Sequence, residues 1–208
     1  MDKTMTPSES ITAGQIGKIQ EILGAALRKS SLSSEPVQAV LETQGESLTS
    51  ELLAVVRKCV EMVSNTIIRR VTVDRSRTPQ EMLDVTGCKQ FTTQSVVDSI
   101  PRGKGEEVEL HFFKPDPSEY DRNGYMSVQG LETALKRRGL TADPYAQIQL
   151  NTDDPTFADE HPNGGQWDVE GNISSFVTFG GWDAGRGVHV YRCESGWSGV
   201  WWLAGSRK

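Results

Sequence analysis

The stretch ISSFVTFGGWDAGRGVHVYRCESGWSGVWWLA, residues 173–204, decides the reading of the fold. Three runs rich in β-branched and aromatic residues, 173–179, 187–193 and 197–204, are separated by glycine-rich turns, the pattern of consecutive strands. They predict a three-stranded meander. Trp201 and Trp202 are neighbours in the third run, and adjacent side chains of a strand point to opposite faces. One indole enters a one-sided core. The other reaches the far face, where either helices or a partner must cover it.

Working back from there, residues 151–166 are polar, with Pro155, Pro162 and the turn-forming Asn163-Gly164-Gly165. Asp143-Pro144 opens a helix, and residues 127–138 read as another that Gly139 stops. Residues 106–113 alternate Val108, Leu110 and Phe112 with Glu107, Glu109 and His111, a half-buried strand. Thr78-Pro79-Gln80-Glu81 is a strong helix start, with a cap, a proline at the first helical position and a glutamate at the third. A strand rich in β-branched residues precedes it at 67–73. Residues 1–65 differ in kind. Ile16, Ile19, Ile22, Leu23, Ala26 and Leu27 recur at helical spacing behind a Thr12–Gln15 capping box, and two further amphipathic segments follow. The sequence thus predicts an α+β protein: a tail at 1–10, a small helical module at 11–65, and a mixed or antiparallel sheet domain at 66–208 ending in the meander. A bundle of the three helices would have a thin core, so the module is expected to pack on the remainder or to self-associate.

Composition narrows the setting. The 208 residues are 36% hydrophobic and 24% charged with a net charge of −6, within the range of folded proteins. No apolar run reaches the length of a membrane span, and MDKTMTPSES lacks the apolar core of a signal peptide. Cys59, Cys88 and Cys193 form no C-x-x-C pattern, and an odd count suits a reducing compartment. The expectation is a cytoplasmic protein with no membrane association. Cys59 falls in a helical apolar stripe and is expected to be buried.

The stretches ITAGQIGKIQEILGAALRKSSLSSEPVQAVLETQGESLTSELLAVVRKCV (11–60) and VTVDRSRTPQEMLDVTG, RGKGEEVELHFFK, RGLTADPY, DPTFADEHPNGGQW and WWLAGSRK (within 71–208) resemble two groups of uncharacterised bacterial proteins of candidate-phylum type. The resemblance implies a modular boundary near residue 65 and a bacterial setting. It implies no activity.

Three constellations could carry function. Asp153, Asp154, Asp159, Glu160 and His161 are the densest set of hard-cation ligands, but their spacing matches no EF-hand and they also read as turn and cap chemistry. A metal-assisted hydrolase would be built there. Arg69, Arg70, Arg75 and Arg77 could contact phosphates in a nucleic-acid binder, yet Arg69 and Arg70 point to opposite faces of a strand. The segment 66–104 has a net charge of +3 and 105–208 one of −7, so internal pairing competes with that use. Finally, Trp182, Tyr191, Trp197, Trp201 and Trp202 supply large amphipathic rings, typical anchors of protein interfaces. His189 and Cys193 lie more than about 12 Å apart along one strand and cannot act as a base–nucleophile pair. No phosphate-cradling or cofactor motif is present. The sequence therefore favours a non-enzymatic protein that binds a macromolecular partner through an aromatic sheet surface, without a cofactor.

Overall fold

The computed structural model describes residues 11–182 and 185–207, with the main chain alone at Trp182. The expected tail at 1–10 lies outside the described residues. The chain divides into two compact units, Met1–Cys59 and Val60–Lys208.

The first unit contains α1 (Ala13–Lys29), α2 (Ser34–Thr43) and most of α3 (Gly45–Ser64). Thr12 caps α1 through the predicted box: its hydroxyl accepts from the Gln15 N–H, and the Gln15 side chain accepts from the Thr12 N–H. Arg28 and Lys29 complement the far end of the helix dipole. The expected bundle is not formed. No side chain of these three helices is buried, and Cys59, read from its stripe as a buried thiol, is exposed. Each helix is amphipathic, but much of its apolar side is exposed.

The second unit is built on a mixed sheet. Its elements are β1 (Thr66–Thr72), α4 (Pro79–Asp84), β2 (Lys89–Thr92), α5 (Gln94–Val97), β3 (Glu107–Phe113), β4 (Tyr125–Met126), α6 (Val128–Arg137), β5 (Leu140–Thr141), α7 (Pro144–Asp153), α8 (Phe157–Glu160), β6 (Asn163–Glu170), β7 (Ile173–Trp182), β8 (Gly185–Cys193), β9 (Trp197–Ser198) and β10 (Trp202–Arg207). The main strand order is β1-β3-β10-β6-β7-β8-β2, and β5 adds to β10. β10 runs parallel to β6 and β2 parallel to β8; the other pairs are antiparallel. The α+β class and the helical N-terminal part are as the sequence predicts.

The predicted membership of the meander is corrected. The consecutive antiparallel strands are β6, β7 and β8. The run 197–204 does not extend them: it breaks into β9, which pairs with β4 in a separate ribbon, and β10, which inserts between β3 and β6. Residues 163–170, read partly as a turn, are strand β6.

Helices lie on both sides of the sheet. On the first face α4, α5, α7 and α8 enclose Ile67, Leu110, Phe112, Val177, Phe179 and Val188 with Tyr145 and Ile148. On the second, α6 and the β4–β9 ribbon cover Phe113 and Leu203 with Leu131, Leu135, Met126 and Trp197. Trp202 packs against the first cluster and Trp201 against the second, the divergence expected of strand neighbours.

Two devices hold β6 at the centre. Its Asn163 forms a sealed amide network with Gln147 and Asn151 of α7: Asn163 Oδ1 accepts from Gln147 Nε2 (2.9 Å) and Asn151 Nδ2 (3.1 Å), while Asn163 Nδ2 donates to Asn151 Oδ1 (3.1 Å) and the His161 carbonyl (3.1 Å). The glycines that look like a turn are there for close approach. A Cβ at Gly164 would meet the Trp197 ring, and one at Gly165 would lie 2.7 Å from Gln147 Oε1 on the other face.

Candidate functional site

On the second face α6 and the ribbon cover β3, β10 and β6 and reach Phe176 of β7, while Phe91 of β2 and Tyr191 of β8 are exposed. The register sets Phe176 opposite Tyr191, Thr178 opposite His189, and His189 opposite Phe91, so these side chains share one side. They form a row of rings. Phe91 stacks on His189 with centroids 4.7 Å apart, His189 lies 6.0 Å from Tyr191, and Tyr191 meets Phe176 edge-on at 4.3 Å. The row continues inward, Phe176 to Trp197 at 5.9 Å and Trp197 to Trp201 at 6.2 Å. Phe91 is 41% exposed and Tyr191 36%, whereas Trp197 is only 5% exposed. Each exposed ring packs against a neighbour in the row, Phe91 against His189 and Tyr191 against Phe176. Burial raises the Tyr191 hydroxyl above its ordinary pKa and lowers that of the His189 imidazole, disfavouring charge on either ring.

Beyond Tyr191, β8 leads within three residues to Glu194, which borders an open cleft of about 450 Å3. Glu119, Tyr120, Asp121, Tyr125 and Gln129 contribute to its walls, and among the described residues no Lys or Arg lines it. The backbone N–H of Tyr125 is the main cause that holds the Asp121 carboxyl below the usual range; the N–H of Asn123 adds to it.

Glu119 belongs to the frame of the cleft. Desolvation raises its pKa, but hydrogen bonds from Arg138 and the Asp116 N–H, with the charges of Arg138 and Arg137, outweigh that and leave it lowered. Arg138 Nη2 donates at 2.9 Å and Arg137 Nη2 at 2.7 Å, and the Arg138 guanidinium lies 4.2 Å above the Phe113 ring. The clamp ties the 117–119 turn to the end of α6. A carboxylate whose pKa is lowered by folding contributes stability above its unfolded pKa, lost as pH falls through the folded one. Glu119→Gln is expected to cost about 2 kcal/mol at pH 7. The difference from wild type should close as pH falls from 4.5, the ordinary value, through the lower folded value; urea midpoints at several pH values test this, and a constant gap would refute it.

The residues singled out in the sequence distribute differently. Trp197 is core: its Nε1 donates to the buried Gln166 Oε1 at 2.7 Å. Trp201 is half-buried, edge-on to Trp197. Trp202 is half-buried on the other face, against His161 at 5.3 Å and beneath Lys114 Nζ at 5.2 Å. Lys114 Nζ also donates to the Gly199 and Val200 carbonyls, and its burial lowers its pKa. Three indoles proposed for a partner thus serve first in packing. Tyr191 is exposed as a docking ring requires, and the side chain of Trp182 lies outside the described residues. Phe91 escaped the sequence reading because its strand is only four residues long. The signal was the run Lys89-Gln90-Phe91-Thr92 directly after a Gly87 helix stop.

The basic set is largely engaged within the protein. Arg69 pairs with Glu61 and lies 5.5 Å over Phe157. Arg75 pairs with Asp143 at 2.6 Å and donates to the carbonyls of Arg102, Lys104 and Gly105. Arg77 pairs with Asp74 at 3.0 Å. Arg70 is the most exposed of the four. In the acidic set, Asp153 accepts from Gln149, and Asp154 accepts from the Thr156 N–H and hydroxyl. His161 packs on Phe157 and Trp202. Among the described residues no three His, Cys, Asp or Glu side chains converge as a metal ion would need, and no helix is long and apolar enough to cross a membrane.

Comparison of the chain with family models, curated proteins and solved structures finds no match. The geometry alone therefore carries the functional reading.

Proposed function

We propose that this is a non-enzymatic binding protein of bacterial or mobile-element origin, acting in the cytoplasm, that engages a protein partner through the open aromatic end of its sheet. One observation carries the reading: Phe91 and Tyr191 stand exposed on one face, each packed against a neighbouring ring, His189 and Phe176. Rigid aromatic rings lose little entropy on binding and are enriched among the residues that dominate interface energies. The neighbouring cleft, with Asp121 and Glu194 and no cation among its described lining residues, supplies a polar rim that favours a basic partner surface.

Phe91→Ala and Tyr191→Ala tests this reading. Both side chains are exposed, so each substitution should change stability by less than about 1 kcal/mol. The pair should abolish capture of a stoichiometric protein partner from a bacterial host lysate, with nuclease treatment making no difference. Undiminished capture by the double variant would place the binding surface elsewhere; loss of capture on nuclease treatment would point to nucleic acid.

A further inference from the structure

The helical unit is the least satisfied part of the molecule. Isolated helices of 10 to 20 residues are marginal in water, and most helical stability comes from packing an amphipathic face. Here eleven Ile, Leu and Val side chains between Ile16 and Val55 are exposed, and none of α1, α2 and α3 buries a residue. At roughly half the surface of a free side chain each, they offer on the order of 800 Å2, what one partner contributes to a standard interface.

Charge identifies the occupant. Between residues 11 and 59 the chain carries five Lys or Arg and five Asp or Glu, a net charge of zero, so two copies meet without mutual repulsion. The charges are also sorted. α1 holds Lys18, Arg28 and Lys29 against Glu21, net +2, and α2 holds Glu35 and Glu42, net −2. Arg28, Lys29 and Glu35 form no ion pair among the described residues. A unit that is neutral in sum, yet positive on one helix and negative on the next, is complementary to itself when two copies are related by a two-fold axis.

We propose that this chain is a homodimer through residues 11–59, the apolar stripes of two copies packed together and α1 of each set against α2 of the other. This is independent of the aromatic surface on the other unit.

The full chain tests it by sedimentation velocity over a dilution series, with far-UV circular dichroism on the same samples. The expected result is a dimer that dissociates by mass action. Ile22→Glu with Leu53→Glu should weaken it roughly 100-fold or more. Because such variants also lose helix support, charge reversal provides the second arm. Arg28→Glu/Lys29→Glu and Glu35→Lys/Glu42→Lys should each weaken the dimer, and the four substitutions together should restore it. A wild-type monomer at every concentration overturns the proposal, whether its helices are formed and covered within the chain or melted. Weakening that simply adds in the fourfold variant also overturns it, and so does association without fixed stoichiometry.

Discussion

Gly164→Ala is expected to cost about 3 kcal/mol, the upper end of what one misplaced methyl does to a packed core. The new Cβ would lie 2.6 Å from Trp197 Cη2 and 3.1 Å from Thr178 Cγ2. The indole has nowhere to go. Its Nε1 is held by Gln166 at 2.7 Å, and Phe176 and Trp201 stand against it edge-on. The added methyl must therefore push β6 away from the ribbon, loosening the joint that holds the inner end of the aromatic row. Urea denaturation followed by tryptophan fluorescence measures the loss. Trp197→Phe in the same chain should relieve part of it, so the double variant should cost less than the sum of the singles. Strict additivity would mean that the ring does not sit over Gly164.

The second large effect is expected at Asn163. Asn163→Leu removes two donors and one acceptor from a network with no access to water, since Gln147, Asn151 and Asn163 are at most 1% exposed. Gln147 Nε2 and both ends of the Asn151 amide lose a partner. With each orphaned group costing about 1–3 kcal/mol, the sum is about 4 kcal/mol. The penalty belongs to the orphans and not to the missing amide. Replacing all three residues by leucine should accordingly destabilise less than Asn163→Leu alone. A triple variant worse than the single would show that the network contributes more than mutual satisfaction.

Both sites lie in the part of the chain that the sequence described least well. Local signals were read correctly where one rule governs. The Thr12–Gln15 and Thr78–Glu81 boxes both form, and α6 stops before Gly139 at φ 67°. The alternation at 106–113 is strand β3, with Val108, Leu110 and Phe112 buried. The failures share a cause. Asn163-Gly164-Gly165 has the composition of a turn, but its glycines answer to an indole on one side and a glutamine on the other, and neither contact is visible in nearby sequence. The placement of β10 between β3 and β6, more than thirty residues from either partner along the chain, is likewise a long-range choice that no local pattern encodes. Within the candidate site, Tyr191 was legible from alternation on a clear strand. Phe91 was not, because β2 becomes a strand only by lying beside β8.

The position of β10 has a consequence for biosynthesis. Apart from β10, nothing in the strand order joins the β1–β3 pair to the β6–β7–β8–β2 group. A nascent chain can assemble each group as it emerges, but their strands cannot be joined into one sheet until residues 202–207 have cleared the ribosome. Until then the flanks of β3 and β6 are raw hydrogen-bonding edges, the kind that recruit foreign strands. Any premature stop before Trp202 would make that exposure permanent, so shortened products should surface as inclusion bodies or proteolytic debris.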